Sequence, residues 1–111
     1  MPGTLWLTRS DSLGSDPVIG RSLFQAFWNS LHDELTEPGT FAFMNRGIFL
    51  TLDDSPVLEA LLRLEAAGSR IMSCGTCLDF YDAKQRLAVG RVGTMAEVQR
   101  SMALSDKVIT L

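Results

Sequence analysis

The chain has 111 residues, of which 46% are hydrophobic and 21% are charged, and its formal net charge is −3. This length suits one domain with a hydrophobic core, and the composition is that of a globular chain rather than a disordered one. Lysine and arginine are scattered singly, which argues against a surface for nucleic acid or an anionic membrane. The apolar run at residues 5–7 is too short for a signal peptide or a membrane span. We therefore expect one soluble, cytoplasmic domain over residues 1–111.

The first half of the chain alternates apolar segments with one long amphipathic segment. Residues 4–9 (TLWLTR) predict a central strand, and residues 40–45 (TFAFMN) predict a second strand that is buried on both faces. Between them, Asp16 followed by Pro17 is an N-cap with proline at the first helical position, so we expect a helix to about Leu35. Residues 48–52 resume an extended pattern.

The second half repeats this alternation with shorter elements. A second cap-and-proline sequence, ending at Pro56, predicts a helix that Gly68 ends. Residues 94–97 (TMAE) fit a capping box that starts a helix to about Leu104. Three further strands are expected, at residues 70–73, 87–89 and 107–111.

Strands that alternate with helices in one small domain predict an α/β fold, a mainly parallel sheet with helices on both faces. Right-handed crossovers place the loops that follow the strands on one edge of such a sheet. Four loops are expected there, at residues 10–14, 45–47, 74–77 and 91–94. Functional side chains usually collect at this edge, so these loops are the candidate site.

The two cysteines form the most informative pattern in the sequence. Cys74 directly follows a predicted strand, and Cys77 comes three residues later, where residues 78–81 predict a turn of helix. The N–H groups that begin this helix would favour the reactive thiolate at Cys74. Two cysteines in a reducing compartment are expected to be catalytic or redox-active, but a buried structural role stays open for Cys74. Cys77 could resolve what Cys74 carries, or it could simply face the interior.

Other residues of the four loops are candidates for substrate-binding or supporting roles beside the cysteines. They are Ser10, Asp11, Asn45, Arg46, Gly75, Thr76 and Arg91. The charge of Arg46 could lower the pKa of the Cys74 thiol, although Arg46 and Arg91 could equally be exposed turn residues. Two cysteines and His32 fall short of a four-ligand zinc site, and we expect neither a metal nor a cofactor.

Six segments together resemble the DsrE-like domain of the YedF family, a selenium-metabolism family in the DsrE/DsrF/TusD superfamily. They are SDSLGSDPVIGRSLFQAF, FMNRGIFL, LEALLRLEAAG, IMSCGTCLDFY, VGRVGTMAEV and VITL, and they span nearly the whole chain. The CGTC sequence after a strand, with N-x-G before it and VGxVxxM after it, is the specific combination. The resemblance implies a three-layer α/β/α domain with about five mainly parallel strands.

The resemblance also implies a function and partners. Active members of the superfamily are sulfur-relay proteins that carry a persulfide on the cysteine matched here by Cys74, and they assemble as dimers, trimers or hexamers. Cys77 matches the second cysteine of the CGTC motif, which relay members in general lack. YedF proteins are similar to a fusion of this domain with a TusA-like sulfur carrier, and no CPxP carrier motif occurs here. A TusA-like partner protein is therefore implied.

Three functions stay open at this point. Cys74 could accept sulfane sulfur as a persulfide and pass it to an acceptor, as a sulfurtransferase-like carrier does. Cys74 and Cys77 could instead cycle as a CxxC dithiol–disulfide pair, although here the CxxC follows the third strand and not the first, as in thioredoxin. The domain could also be a non-catalytic binding module. An apolar surplus on the first helix and residues 48–52 predicts a homo-oligomer.

Overall fold

The computed structural model describes residues 3–111. Within them the strands are β1 Thr4–Thr8, β2 Thr40–Phe43, β3 Arg70–Cys74, β4 Arg91–Gly93 and β5 Lys107–Thr110. The α-helices are α1 Pro17–Glu34, α2 Leu58–Ala66, α3 Gly75–Phe80 and α4 Met95–Leu104. Two 3₁₀ helices, Asn45–Thr51 and Lys84–Arg86, complete the regular structure. In this part of the chain no helix is both long and apolar enough to cross a membrane.

The strands form a single parallel sheet in the order β4-β3-β2-β1-β5. Each connection between strands that are consecutive in the sequence contains a helix, as parallel pairing requires. The loops after the strands therefore meet at one edge, the carboxyl edge of the sheet. The predicted α/β fold with helices on both faces of a mainly parallel sheet is confirmed.

The two faces of the sheet bury apolar clusters of unequal size. The larger cluster lies beneath α1, α2 and the first 3₁₀ helix, and in it the Trp28 ring packs against Phe24, Phe41 and Phe43. The smaller cluster, on the face covered by α4, consists of Leu5, Leu7, Ala42, Met72 and Val98. Successive residues of a strand point to opposite faces, so Phe41 and Ala42 belong to different clusters.

Capping side chains account for where α1 and α4 begin. The Asp16 carboxylate accepts a hydrogen bond of 2.9 Å from the N–H of Val18, with Pro17 at the first helical position. At α4, Thr94 Oγ1 accepts from the N–H of Glu97, and the Glu97 carboxylate accepts from the N–H of Thr94, both at 3.2 Å. Both predicted helix starts are confirmed.

The helix α2 begins later than its sequence predicts. Ser55 Oγ accepts a hydrogen bond of 3.1 Å from the N–H of Val57, so Pro56 lies in a turn and the helix starts at Leu58. At the other end, Gly68 has a φ of 104°, in the left-handed region that suits glycine. The predicted glycine stop is therefore confirmed.

The prediction of an extended segment at residues 48–52 is wrong. Asn45–Thr51 forms a 3₁₀ helix in which Ile48, Leu50 and Thr51 are buried. Thr51 Oγ1 donates a hydrogen bond of 2.6 Å to the carbonyl of Ile48. A short apolar run does not by itself distinguish a strand from a short buried helix, and burial of these side chains under α1 and α2 decides for the helix.

The predicted fourth strand at residues 87–89 is wrong in position. Leu87 makes only an isolated antiparallel bridge with Leu52, and β4 is Arg91–Gly93. Gly90 has a φ of 73°, and a Cβ there would collide with the carbonyl of Ile71 on β3. The main chain at Gly90 comes so close to β3 that only glycine fits there, and the strand β4 begins after it.

Candidate functional site

Cys74 is the last residue of β3, and Gly75 begins α3 directly after it. Its backbone pairs with Gly93 of β4, and its side chain is partly exposed. Ser73 before it is fully buried, and Leu78 after it belongs to the larger core cluster. Packing on both sides therefore fixes Cys74 at the carboxyl edge of the sheet, at a junction between strand and helix.

Cys77 lies one turn along α3, close to Cys74. Both cysteines are free thiols. Burial raises the pKa of the Cys77 thiol, the hydrogen bond from the Asn45 N–H opposes that rise, and the hydrogen bond and charge of Cys74 add to it. Burial is thus the main reason that the pKa of the Cys77 thiol lies above its ordinary value.

The backbone of Asn45 supplies a hydrogen bond to the site, and this bond goes to Cys77. The N–H of Asn45 lies 3.2 Å from Cys77 Sγ. Asn45 has a φ of 53°, in the left-handed region, which asparagine adopts more readily than most residues. Its side-chain oxygen accepts a hydrogen bond of 2.8 Å from the N–H of Arg46. The structure brings the predicted residue Asn45 to the cysteines through its main chain.

Arg46 lies at the same edge but is held by Asp11. Its guanidinium donates two hydrogen bonds to the Asp11 carboxylate, at 3.4 and 3.2 Å, and packs 4.8 Å from the ring centre of Phe49. The hydrogen bond that Arg46 donates to Asp11 is the main reason that the pKa of Arg46 is raised. The positive charge of Arg46, which the sequence suggested would act on the Cys74 thiol, is thus paired with Asp11. This ion pair joins the loops after β1 and β2.

Of three more predicted residues, two determine the course of the main chain and the third is exposed. Ser10 Oγ accepts a hydrogen bond of 3.1 Å from the N–H of Ser12, which turns the chain after β1. A Cβ at Gly75 would lie 3.0 Å from the side chain of Val92, so this glycine allows β4 to approach closely. Thr76 is exposed on α3 between the two cysteines.

The predicted loop position of Arg91 is wrong. Arg91 is the first residue of β4, paired with Met72, whereas Gly93 at the other end of the strand pairs with Cys74. The guanidinium of Arg91 donates to the Glu97 carboxylate, with one of the bonds at 3.2 Å. Because the strand forms at residues 91–93 and not at 87–89, Arg91 stands at the far end of β4 from the carboxyl edge.

A buried pair of hydroxyl groups beneath the site is absent from the predicted set. Ser73 Oγ lies 2.8 Å from Thr51 Oγ1, and both residues are 0% exposed. Thr51 donates its proton to the carbonyl of Ile48, so Ser73 donates to Thr51. The pair ties the end of the first 3₁₀ helix to the residue before Cys74. Its signal in the sequence is a serine and a threonine inside apolar segments, where each needs a partner.

The site offers the chemistry of two neighbouring free thiols. Both are partly exposed, and burial raises the pKa of the Cys77 thiol. Among residues 3–111, His, Cys, Asp and Glu side chains form no group of three that could hold a metal ion.

Solved structures share this fold over nearly their whole length. The chain is 20% identical to the ychN protein from E. coli, with a TM-score of 0.75 and 100% of both chains covered. For MTH1491 from Methanobacterium thermoautotrophicum the identity is 14% and the TM-score 0.66, covering 96% of this chain and 97% of that one. For BT1422 from Bacteroides thetaiotaomicron the values are 10% and 0.66, covering 97% and 94%. The last two are described as proteins of unknown function.

These likenesses show the fold alone, because the identities are low. They support a DsrE-like fold, and they do not show the YedF family. No family model and no curated protein matches the sequence. Fold and site together therefore define a DsrE-like α/β domain with a Cys-Gly-Thr-Cys sequence at the carboxyl edge of its sheet.

Proposed function

We propose that this chain is a YedF-like sulfur carrier of the sulfurtransferase type, in which Cys74 holds sulfane sulfur as a persulfide. One observation carries the proposal: a partly exposed Cys74 at the carboxyl edge of β3, beside a second thiol with a raised pKa. The nucleophile of such a carrier must be within reach of the donor. Cys74 is partly exposed at the carboxyl edge of β3, whereas burial raises the pKa of the Cys77 thiol, so we assign that role to Cys74. The DsrE-like fold and the CGTC resemblance agree with it.

Loading is an exchange between a thiolate and a persulfide. The Cys74 thiolate attacks the outer sulfur of a donor persulfide, an S–S bond forms at Cys74, and the donor leaves as a thiolate. An acceptor thiolate then attacks the outer sulfur of the Cys74 persulfide and releases the Cys74 thiolate. Electrons balance within each exchange, so neither step consumes an oxidant or a reductant.

Cys77 stabilises the negative sulfur at Cys74 and limits a side reaction. As a thiol it donates a hydrogen bond to that sulfur. As a thiolate it would attack the inner sulfur of the persulfide, forming a Cys74–Cys77 disulfide and expelling hydrosulfide. The raised pKa of Cys77 keeps the thiolate scarce near neutral pH, so the persulfide persists long enough to meet an acceptor.

Aromatic side chains beside the cysteines offer a docking surface for the partner carrier. The Tyr81 ring lies 4.8 Å from that of Phe49 and 5.0 Å from that of Phe80, centre to centre. Phe80, three residues after Cys77, is 80% exposed. Exposed aromatic residues are frequent anchors in protein interfaces. We assign this surface to a TusA-like sulfur-carrier protein that delivers or receives the sulfur.

A dithiol–disulfide site is the second candidate, because the two free thiols lie close together. In that reaction Cys74 attacks a disulfide substrate and Cys77 resolves the mixed disulfide. The substrate gains two electrons and leaves as two thiols, while Cys74 and Cys77 are oxidised to a disulfide. A buried second thiol serves this cycle as well as it serves the carrier, so an experiment must separate them.

The mass of the intact protein after reaction distinguishes the candidates. The reduced protein is incubated with glutathione persulfide, and its mass is measured without reductant. A gain of one sulfur atom supports the carrier. A loss of two hydrogen atoms with no gain of sulfur supports the dithiol–disulfide site, and an unchanged mass supports a non-catalytic binding module.

A further inference from the structure

Apart from the cysteine site, a cavity lies near the carboxyl edge of the sheet, and it takes no part in the proposed sulfur chemistry. It is enclosed by α1 and by the segment that leads from the first 3₁₀ helix to α2, and its volume is about 270 Å³. Its apolar lining consists of Phe24, Phe49, Leu50 and Val57. Ligand pockets for drug-sized molecules usually measure about 300–1,000 Å³, so this cavity suits a smaller apolar group.

The charges that line the cavity leave one cation without a counter-ion. Asp11 pairs with Arg46 at 3.2 Å, and Asp54 pairs with Arg86 at 2.8 Å, so a neighbouring arginine neutralises each carboxylate. Arg21 also lines the cavity, and within residues 3–111 it has no ion-pair partner. Arg21 is therefore the lining side chain that can pair with the charge of a bound anion.

Arg21 and Gln25 are positioned to act together. They are four residues apart on α1, so they lie on the same side of the helix, and both line the cavity. The planar guanidinium matches the two oxygens of a carboxylate, and the side-chain amide of Gln25 supplies a further N–H donor. Donors at one end and apolar side chains at the other describe an amphipathic ligand.

We propose that this cavity binds a small organic monocarboxylate with an apolar body. The carboxylate accepts hydrogen bonds from Arg21 and Gln25, and the apolar body packs on Phe24, Phe49 and Val57. A monoanion is favoured over a dianion because Arg21 is the only cation lining the cavity within residues 3–111, and it can balance one negative charge. This binding is independent of any sulfur on Cys74.

Titration with phenylacetate, followed by amide ¹H–¹⁵N NMR, tests the proposal. Saturable shifts are expected at residues 21–25 of α1 and 49–50 of the 3₁₀ helix. Phenylacetamide, which has the same shape without the charge, is expected to bind at least about tenfold more weakly, since a hydrogen bond to a charged group contributes more than a neutral one. Arg21→Met is expected to weaken phenylacetate binding by a similar factor and to leave phenylacetamide binding unchanged.

Arg100→Met is the matched control, because it changes the net charge equally but lies on α4, beside a different cavity that Arg70 and Arg91 also line. It is expected to leave phenylacetate affinity unchanged. Gln25→Leu, which keeps the charge, is expected to weaken phenylacetate binding by a smaller factor than Arg21→Met does. Three results would each overturn the proposal: no saturable shift, equal affinity for acid and amide, or a loss of affinity caused by Arg100→Met and not by Arg21→Met.

Discussion

Cys74 and Cys77 belong to one short motif, yet the surroundings of the two thiols differ. Cys77 packs against the larger core and accepts the Asn45 N–H at 3.2 Å, and burial raises the pKa of its thiol. Cys74 ends a strand, is partly exposed, and has the Cys77 thiol as a neighbour. The proposed carrier therefore uses Cys74 as its nucleophile and Cys77 as the neighbouring thiol.

Replacing Cys77 by serine tests this division of roles. We expect Cys77→Ser to load with sulfane sulfur and to keep it longer than the native chain, because no thiol remains to attack the inner sulfur of the Cys74 persulfide. The measurement is a time course of the loaded mass after the donor is removed. A loaded form that decays faster in the variant would contradict the assigned role of Cys77.

The pH dependence of alkylation tests the raised pKa of Cys77. In Cys74→Ser, burial of Cys77 remains, so its thiol should stay protonated beyond the ordinary thiol value of about 8.5. A raised pKa means that the reactive thiolate, and with it the alkylation rate, appears only at higher pH. Iodoacetamide rates measured against pH give the midpoint, with the urea-unfolded variant as control. A folded midpoint at or below the unfolded one would refute the prediction.

At the scale of secondary structure, the first 3₁₀ helix sets the geometry of the site. Its first residue, Asn45, donates to Cys77, and its last, Thr51, is joined to Ser73 by a hydrogen bond of 2.8 Å. Gly47 within it packs against the main chain of Thr8, where an added Cβ would collide with the carbonyl oxygen. This helix therefore connects the ends of three neighbouring strands.

Gly47→Ala is expected to disturb both the fold and the site. The new Cβ forces the helix away from β1, which should lower the free energy of unfolding by about 1–3 kcal/mol, the usual cost of overpacking. The same shift moves the Asn45 N–H away from Cys77 and removes a contact that lowers the pKa of that thiol, so Cys77 should alkylate more slowly at a given pH. Urea unfolding and alkylation rates measure the two effects.

Gly14→Ala is the control for this prediction. Gly14 has a φ of 87° and open space where a Cβ would be, so the substitution strains the backbone without pushing the new Cβ against a neighbouring atom. It should lower stability without changing the alkylation rate of Cys77. Equal alkylation rates in Gly47→Ala and in the native chain would show that the 3₁₀ helix does not position the site.

Local patterns in the sequence predict most elements but not every class of element. The cap at Asp16 and the capping box at Thr94 are encoded within a few residues, so α1 and α4 begin where expected. The apolar run at residues 48–52 has no such signal, and its choice of a 3₁₀ helix follows from packing under α1 and α2. The position of Arg91 could not be predicted either, because tertiary contact decides it. The close approach of Gly90 to β3 moves the start of β4 to Arg91.

The contacts of the site are less predictable than the position of Cys74. An apolar run that ends in a cysteine is visible in the sequence. The hydrogen bond from Asn45 to Cys77 joins residues 32 apart, and the pairing of Arg46 with Asp11 joins residues 35 apart. No local pattern encodes such distances, because the order of the strands in the sheet brings these residues together.

At the scale of the whole molecule, the core uses much of the apolar surplus seen in the sequence. Ile48, Leu50 and Leu52 are at most 4% exposed, so these three residues of the segment already belong to the core. On α1, Ile19 and Leu23 remain 54% and 47% exposed, and they are one turn apart on the same side of the helix. This side of α1 is the surface on which self-association is expected.

We predict a homo-oligomer that forms through this side of α1. Light scattering at micromolar concentration should give at least the mass of a dimer. The interface should bury a total area on the order of 1,200 Å² or more. Leu23→Glu should reduce the mass to that of a monomer, because it places a charge in the contact. Met102→Glu on α4, where the methionine is 40% exposed, is the control and should leave the mass unchanged. A monomer mass for the native chain would refute the prediction.

The central claim is that Cys74 carries the sulfane sulfur, and the location of that sulfur tests it most directly. The native chain, Cys74→Ser and Cys77→Ser are each loaded with glutathione persulfide, capped by alkylation, digested without reductant and sequenced by fragment-ion mass spectrometry. We predict that the added sulfur lies on Cys74 in the native chain, is retained in Cys77→Ser and is absent from Cys74→Ser. Added sulfur on Cys77, or loading that survives Cys74→Ser and is lost in Cys77→Ser, would contradict the claim.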